Sequence, residues 1–217
     1  MPISETSASI PAESLSSPSH RRLWTWVAAI YVVQAFGSVV VMQLLGLRFT
    51  DVSLPIAFLM FGACASLFLR SLKFSNRLGV WKWWAPVVFY ALFIFSLSNR
   101  SYPNALPTFD TKIFHPIEYM TLGIFLSIAW YNIGKHKHPT AMIFVVLISG
   151  VLFAVSDEIH QAFIPGRNAR IADVLIDSAG VAVGCALFLL SVLTRNRKKG
   201  DRLSQPLESE PNQSPPS

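Results

Sequence analysis

Charged residues are scarce in this chain of 217 residues. Asp, Glu, Lys and Arg make up 14% of it, whereas an average soluble domain is about a quarter charged. Apolar residues make up 52%, with 16 Phe and 6 Trp, and the mean hydropathy is +0.45. This balance argues against a soluble globular domain and favours an integral membrane protein.

Cysteine is also rare, since the chain has only two. Both, Cys64 and Cys185, fall inside apolar segments, so a disulfide framework is not indicated. The net charge of +6 comes without a basic face that carries aromatic or groove-reading residues, so nucleic acid is not expected as a partner. No internal repeat is visible, although secondary transporters often have one.

Six apolar segments meet or approach the length of a membrane-spanning helix, which is roughly 20 residues for a hydrocarbon core of about 30 Å. They cover residues 23–47, 54–69, 83–97, 113–133, 141–155 and 174–193. The second, third and fifth are short, and we expect the fifth helix to continue through Asp157 and Glu158. The sequence therefore predicts an all-α, polytopic transmembrane bundle of about six spans.

The basic residues indicate how this bundle is oriented, because cytoplasmic loops are enriched in Lys and Arg. If both termini are cytoplasmic, thirteen of the 18 basic residues lie inside and five lie outside. Seven of the 12 acidic residues lie outside or at the outer membrane boundary. We therefore predict cytoplasmic N- and C-termini. Residues 1–20 and the basic tail 194–217 are expected to be disordered, because polar residues and proline dominate them.

Polar residues interrupt the apolar segments at three places, all on the predicted outer side. Ionisable residues at membrane depth are costly, so each is a candidate for function. The first place is the end of the third segment, the second is the start of the fourth, and the third is the stretch 156–180. The candidate pocket residues are Ser98, His115, Glu118, Tyr119, Asp157, Glu158, His160, Gln161, Arg167, Asp173 and Asp177. We expect them to line one outward-facing pocket.

A stripe of acids and glycines runs along the sixth segment. Asp173, Asp177, Gly180 and Gly184 are spaced so that all four lie on one helix face. The two glycines form a G-x-x-x-G pattern, which lets a neighbouring helix approach closely. The pattern therefore predicts that both carboxylates lie at a tight helix contact.

The stretch "DEIHQAFIPGRNARIADVLIDSAG", residues 157–180, resembles the signature of the VanZ-like family. That signature has a D-E-x-H-Q run, a P-G-R turn, D-x-x-x-D and glycines. The family's earlier H-x-x-x-Y is matched by His115 and Tyr119, and its serine-rich segment by Ser96 and Ser98, although Ser-Ser-Gln-Pro is more usual there. The resemblance covers residues 81–193. It predicts a four-helix VanZ-like core preceded by two additional helices in 21–80.

The resemblance implies an envelope protein of a bacterial cytoplasmic membrane, since the founding member is associated with glycopeptide (teicoplanin) resistance. The partners it implies are membrane lipids and either a lipid-linked envelope precursor or the glycopeptide target. No cofactor is expected, and no metal, because the spacing matches no H-E-x-x-H or comparable motif. Oligomeric state and reaction chemistry stay open.

Three interpretations of the polar residues compete. In the structural one, Arg167 and Arg170 neutralise Asp173, Asp177 or Asp157, because buried acids are usually paired. In the enzymatic one, a membrane-embedded hydrolase or transferase uses His beside carboxylates for general acid–base chemistry. In the third, the same groups form the relay of a proton-coupled transporter. The candidates for a chemical role are His115, Glu118, Asp157, Glu158 and His160.

The orientation can be tested by cysteine labelling in a background in which Cys64 and Cys185 are replaced by Ala. A cysteine in the loop at Gly166 should react with a membrane-impermeant thiol reagent on intact cells. A cysteine at Lys137 should react only after permeabilisation, because positive loops stay inside. The reverse pattern would place the polar pocket on the cytoplasmic side.

Overall fold

The computed structural model describes residues 18–72, 79, 81–100, 114–133 and 139–203. All regular secondary structure in these ranges is helical, as the sequence predicted. The α-helices are α1 (Pro18–Leu44), α2 (Phe49–Ser71), α3 (Trp84–Ser98), α4 (His115–Ile133), α5 (Pro139–Gln161) and α6 (Ile171–Leu203), and a 3₁₀ turn (Trp81–Trp83) precedes α3.

Four of these helices, α1, α2, α5 and α6, are long and apolar enough to cross a membrane. Helix α3 has only 15 residues, and α4 begins with the polar residues His115 and Glu118. Large apolar side chains such as Phe36 and Phe144 are exposed on the bundle surface, as expected where lipid rather than water is the solvent. The chain is a membrane protein. Six spans and cytoplasmic termini stay predictions.

Several helix boundaries differ from the predicted ones, whereas the predicted extension of α5 is present. Helix α5 does continue past residue 155 to Gln161. Helix α6 begins at Ile171 and continues to Leu203, so residues 194–203 are helical and their assignment to a disordered tail is wrong. A packed helix propagates readily into residues such as Arg and Lys, which favour helix. Helix α1 begins at Pro18, inside the predicted N-terminal tail. Residues 1–17 and 204–217 of the predicted tails lie outside the described residues.

The predicted turn between the last two helices is present. Gly166 adopts a φ of 82°, in the left-handed region where glycine has no steric penalty. The preceding Pro165 cannot donate the backbone hydrogen bond that a continuing helix would need. The turn reverses the chain so that α6 packs against α4 and α5.

Helix α4 lies at the centre of the bundle and makes its most extensive contact with α6. A Cβ atom at Gly184 would overlap the carbonyl oxygen of Met120, and one at Gly180 would lie 2.6 Å from the carbonyl oxygen of Pro116. The backbones of α4 and α6 therefore touch at the two glycines of the G-x-x-x-G pattern. This contact places Asp177, which is fully buried, beside the first turns of α4.

Helix α1 docks on α3 and α4 through Tyr31 and Gln34. The Tyr31 hydroxyl donates to the carbonyl oxygen of Pro86. The Gln34 amide donates to Thr121 Oγ1 over 2.8 Å, and its carbonyl oxygen accepts from the Tyr90 hydroxyl over 2.8 Å. Both ends of the Gln34 side-chain amide are thus satisfied, which offsets the cost of burying it in an apolar helix.

The polar residues gather at one end of the bundle, where α1, α3 and α5 end and α2, α4 and α6 begin. Ser98, the last residue of α3, bonds to Asp157 near the end of α5. The Arg100 side chain donates to the carbonyl oxygens of Thr50 and Asp51 at the start of α2. We call this end of the bundle the polar end.

The close contact between α4 and α6 predicts unequal effects for two identical substitutions. Gly184→Ala should destabilise the protein by about 1–3 kcal/mol, because the added methyl group forces the two backbones apart. Gly37→Ala in α1 is the control, since a Cβ atom there meets nothing within 4 Å. Thermal unfolding of the detergent-solubilised proteins measures both. Equal stability of the two variants would contradict the close contact.

Candidate functional site

Asp157 lies at the centre of a buried hydrogen-bond cluster that joins three helices. Its side chain is 2% exposed, and its Oδ2 atom accepts three hydrogen bonds. The donors are Ser98 Oγ of α3 at 2.9 Å, Gln161 Nε2 of α5 at 2.9 Å and the Tyr119 hydroxyl of α4 at 3.3 Å. We call these four residues the Asp157 cluster. Gln161 reaches Asp157 because residues four apart share a helix face.

Two other acceptor atoms belong to the same cluster, one on Asp157 and one on Gln161. Asp157 Oδ1 and Gln161 Oε1 are both buried and accept no hydrogen bond from the described residues. A buried acceptor without a donor loses its hydration without compensation, so such atoms are uncommon and often functional. The Asp157 cluster therefore keeps two buried acceptor atoms that the described residues do not use.

His115 and Glu118 lie next to this cluster, in the first turn of α4. Both side chains are buried, and His115 Nδ1 lies 3.8 Å from Glu118 Oε2. Glu118 lies within electrostatic range of Asp157, Asp177 and Arg167. The structure thus brings three carboxylates, one imidazole and one guanidinium together, although they come from segments far apart in the sequence.

Arg167 contacts the end of α3 rather than forming the expected bond to an aspartate. Its Nε donates to the carbonyl oxygen of Arg100 over 3.0 Å, and its Nη2 donates to that of Leu97 over 3.0 Å. The last carbonyls of a helix have no partner within the helix and carry partial negative charge. Arg167 therefore caps α3 and holds the turn after α5 against it.

Glu158 and Arg170 meet through the backbone. The Arg170 amide, directly before α6, donates to Glu158 Oε2 over 3.0 Å. A carboxylate at this position satisfies a free N–H group and is stabilised by the helix dipole. Asp173 lies half-buried in the first turn of the same helix. Glu158 thus links the end of α5 to the start of α6. The sequence had suggested a chemical role for Glu158 and did not indicate this structural contact.

His160 lies half-buried beside α3. Its Nε2 atom is 3.2 Å from Asn99 Oδ1, and its ring centroid is 4.3 Å from that of Phe95. Asn99 was not among the candidate residues, and only its position at the end of an apolar segment pointed to it. The contact places His160 on the α3 side of the polar end.

A cavity of about 330 Å³ adjoins Glu118. Its walls come from α1 to α4, and most of the side chains that line it are apolar. Its polar atoms belong to Gln34, Ser38, His115, Glu118 and Arg167. The sequence pattern did not reveal this space, because the apolar residues of α1 show no periodicity that distinguishes a cavity wall from a lipid-facing surface.

Metal ligands do not converge in the described part of the chain. No group of three or more His, Cys, Asp or Glu side chains there is arranged to hold a metal ion. The acidic residues at the polar end instead make hydrogen bonds to Ser98, Tyr119, Gln161 and the Arg170 amide.

Comparison with protein families matches residues 95–193 to the VanZ/LLP1 family. The matched segment runs from the last turn of α3 into α6 and contains the whole Asp157 cluster. Helices α1 and α2 lie outside it. No curated protein and no solved structure matches the chain.

The capping contact of Arg167 predicts that lysine cannot replace it. Arg167→Lys should lower stability by about 1–3 kcal/mol, because an ammonium group cannot reproduce two hydrogen bonds fixed by a planar guanidinium. Arg170→Lys is the matched control, since that side chain is exposed and its structural contact uses the backbone amide. Thermal unfolding of both variants is the measurement. A fully stable Arg167→Lys would show that the capping bonds contribute little.

Proposed function

Since residues 95–193 form a VanZ-like domain, we propose that this membrane protein acts in a bacterial cell envelope. There it alters sensitivity to glycopeptide antibiotics of the teicoplanin type by binding an envelope component. The observation that carries the proposal is the Asp157 cluster. It gathers buried acceptor atoms at one end of an otherwise apolar bundle.

The chemistry of the cluster supports a ligand rich in hydrogen-bond donors. Asp157 Oδ1, Gln161 Oε1 and Glu118 Oε2 all accept no hydrogen bond from the described residues. Hydroxyl, amide and ammonium groups would satisfy them, and bonds to the carboxylates would be stronger than bonds between neutral groups. Lipid-linked envelope precursors carry such groups on their sugars and peptides.

The predicted orientation supports the same proposal. The distribution of Lys and Arg favours cytoplasmic termini, which would put the polar end on the outer side of a bacterial cytoplasmic membrane. Surface precursors and the glycopeptides that bind them meet on that side. A protein that held or masked such a precursor there would change how much of it the antibiotic reaches.

Catalysis is a second candidate, favoured by the His115–Glu118 pair. The pair lies at the wall of the cavity, and an imidazole beside a carboxylate is suited to general acid–base chemistry. In that case the envelope component would be modified as well as bound. Mass spectrometry of envelope lipids from cells with and without the protein distinguishes the two, because only catalysis changes the mass of a component.

Two buried serines of α3 provide a matched test of the proposed function. Ser98→Ala removes a donor to Asp157 and should abolish the effect of the protein on teicoplanin sensitivity, as should Asp157→Asn. Ser96→Ala is the control, because that hydroxyl donates to Phe93 within its own helix. Antibiotic sensitivity is measured in one host beside the amount of folded protein in the membrane.

The amount of protein decides how these results are interpreted. Normal amounts with a lost effect in Ser98→Ala, and an unchanged effect in Ser96→Ala, support a binding site at the Asp157 cluster. An effect that simply follows protein amount in all three variants would make the cluster structural and overturn the proposal.

A further inference from the structure

The cavity beside Glu118 lies between α1 and α4. These helices touch at the hydrogen bond from Gln34 to Thr121. Closer to the polar end, Met42 of α1 and His115 of α4 line the same open space. Its volume of about 330 Å³ falls in the range of ligand pockets, roughly 300–1,000 Å³.

The apolar part of the cavity opens toward the side of the bundle. Val33 of α1 and Ile117 of α4 both line it, yet they are 69% and 52% exposed. Gly37 also lines it, and a Cβ atom there would meet nothing within 4 Å. In a bilayer, the medium beside these two helices is lipid. The shape and polarity of this part suit a hydrocarbon chain entering from the membrane.

The polar part of the cavity holds a carboxyl group, that of Glu118, and a guanidinium group, that of Arg167. Glu118 is 9% exposed, and its Oε2 atom accepts no hydrogen bond from the described residues. Arg167 lines the same space and uses Nε and Nη2 for the carbonyl oxygens of Arg100 and Leu97, so both N–H groups of Nη1 are available to a ligand. A guanidinium recognises phosphate, and a buried carboxylate requires a hydrogen-bond donor.

We propose that the cavity binds a phospholipid-type amphiphile. One acyl chain lies along Gly37 between α1 and α4, the phosphate bonds to Arg167, and a headgroup hydroxyl or ammonium donates to Glu118. This inference goes beyond the proposed function, because none of the four residues of the Asp157 cluster lines the cavity. It also explains the presence of α1, which lies outside the family match. Helix α1 supplies the apolar wall of a site whose main polar groups belong to the matched segment.

The proposed contacts predict an order of binding affinity among simple lipids. Phosphatidylglycerol and phosphatidylethanolamine offer both a phosphate and a donor for Glu118. Phosphatidylcholine offers the phosphate alone, and diacylglycerol offers no anion for Arg167. Because a hydrogen bond to a charged group contributes about 1.5–3 kcal/mol, phosphatidylglycerol should bind at least about tenfold more tightly than phosphatidylcholine.

The test measures lipid binding to the purified full-length protein in detergent, by native mass spectrometry or with spin-labelled lipids of the four types. Gly37→Leu should remove the bound lipid by filling the cavity. Val32→Leu is its control, because Val32 is an exposed residue of the same helix that does not line the cavity. Glu118→Gln should reduce the preference for phosphatidylglycerol over phosphatidylcholine, because an amide oxygen accepts a weaker hydrogen bond than a carboxylate does. Thermal unfolding shows that each variant is folded.

Each outcome has a defined meaning. Loss of lipid in Gly37→Leu but not in Val32→Leu, with the headgroup preference reduced by Glu118→Gln, supports the inference. Equal binding by Gly37→Leu and Val32→Leu, or a ranking that Glu118→Gln leaves unchanged, would overturn it. Displacement of the lipid by millimolar inorganic phosphate would also do so, because it would show an anion site without an acyl-chain site.

The result stays separate from that of the antibiotic experiment. If purified protein binds no lipid while Ser98→Ala still abolishes the effect on teicoplanin sensitivity, the lipid inference fails and the proposed function stands. If lipid binding follows the ranking while Ser98→Ala has no effect in cells, the proposed function fails.

Discussion

Burying carboxylates in an apolar bundle imposes the main constraint on this structure. Asp157, Asp177 and Glu118 are all buried at one end of the molecule, where each ionised group needs donors or opposite charge. Asp157 obtains three donors, and they come from three different helices. The positions of α3, α4 and α5 at the polar end are therefore tied to one another through a single oxygen atom. The glycine contact between α4 and α6 then sets how closely Asp177 approaches the first turns of α4.

Most of the fold was predictable from the sequence, because a membrane simplifies the problem. Long apolar runs identify the helices by length alone, and the polar shoulder at Asp157 indicated that α5 would continue. The ends of helices were less predictable. Arg195 and Arg197 indicated a tail after the last apolar run, but they lie in α6, because basic residues are good helix formers once a helix has been started by packing.

The candidate site was predictable in its composition and less so in its pairings. Asp157, Gln161, Glu118 and Tyr119 were all among the residues expected to line one pocket. Spacing along one helix contains no information about contacts across the bundle, however. The capping of α3 by Arg167 depends on the turn that brings residue 167 back to the end of α3. The cavity depends on how α1 diverges from α4, which no local pattern encodes.

The length of α6 has a mechanical consequence. With 33 residues it is about 50 Å long, well beyond a hydrocarbon core of about 30 Å. One end is fixed at the polar end by Glu158, and the other carries the exposed Arg195 and Arg197. Moving α6 along its axis toward the polar end would draw these guanidinium groups into hydrocarbon. The length of α6 therefore fixes the depth of Asp177 in the bilayer.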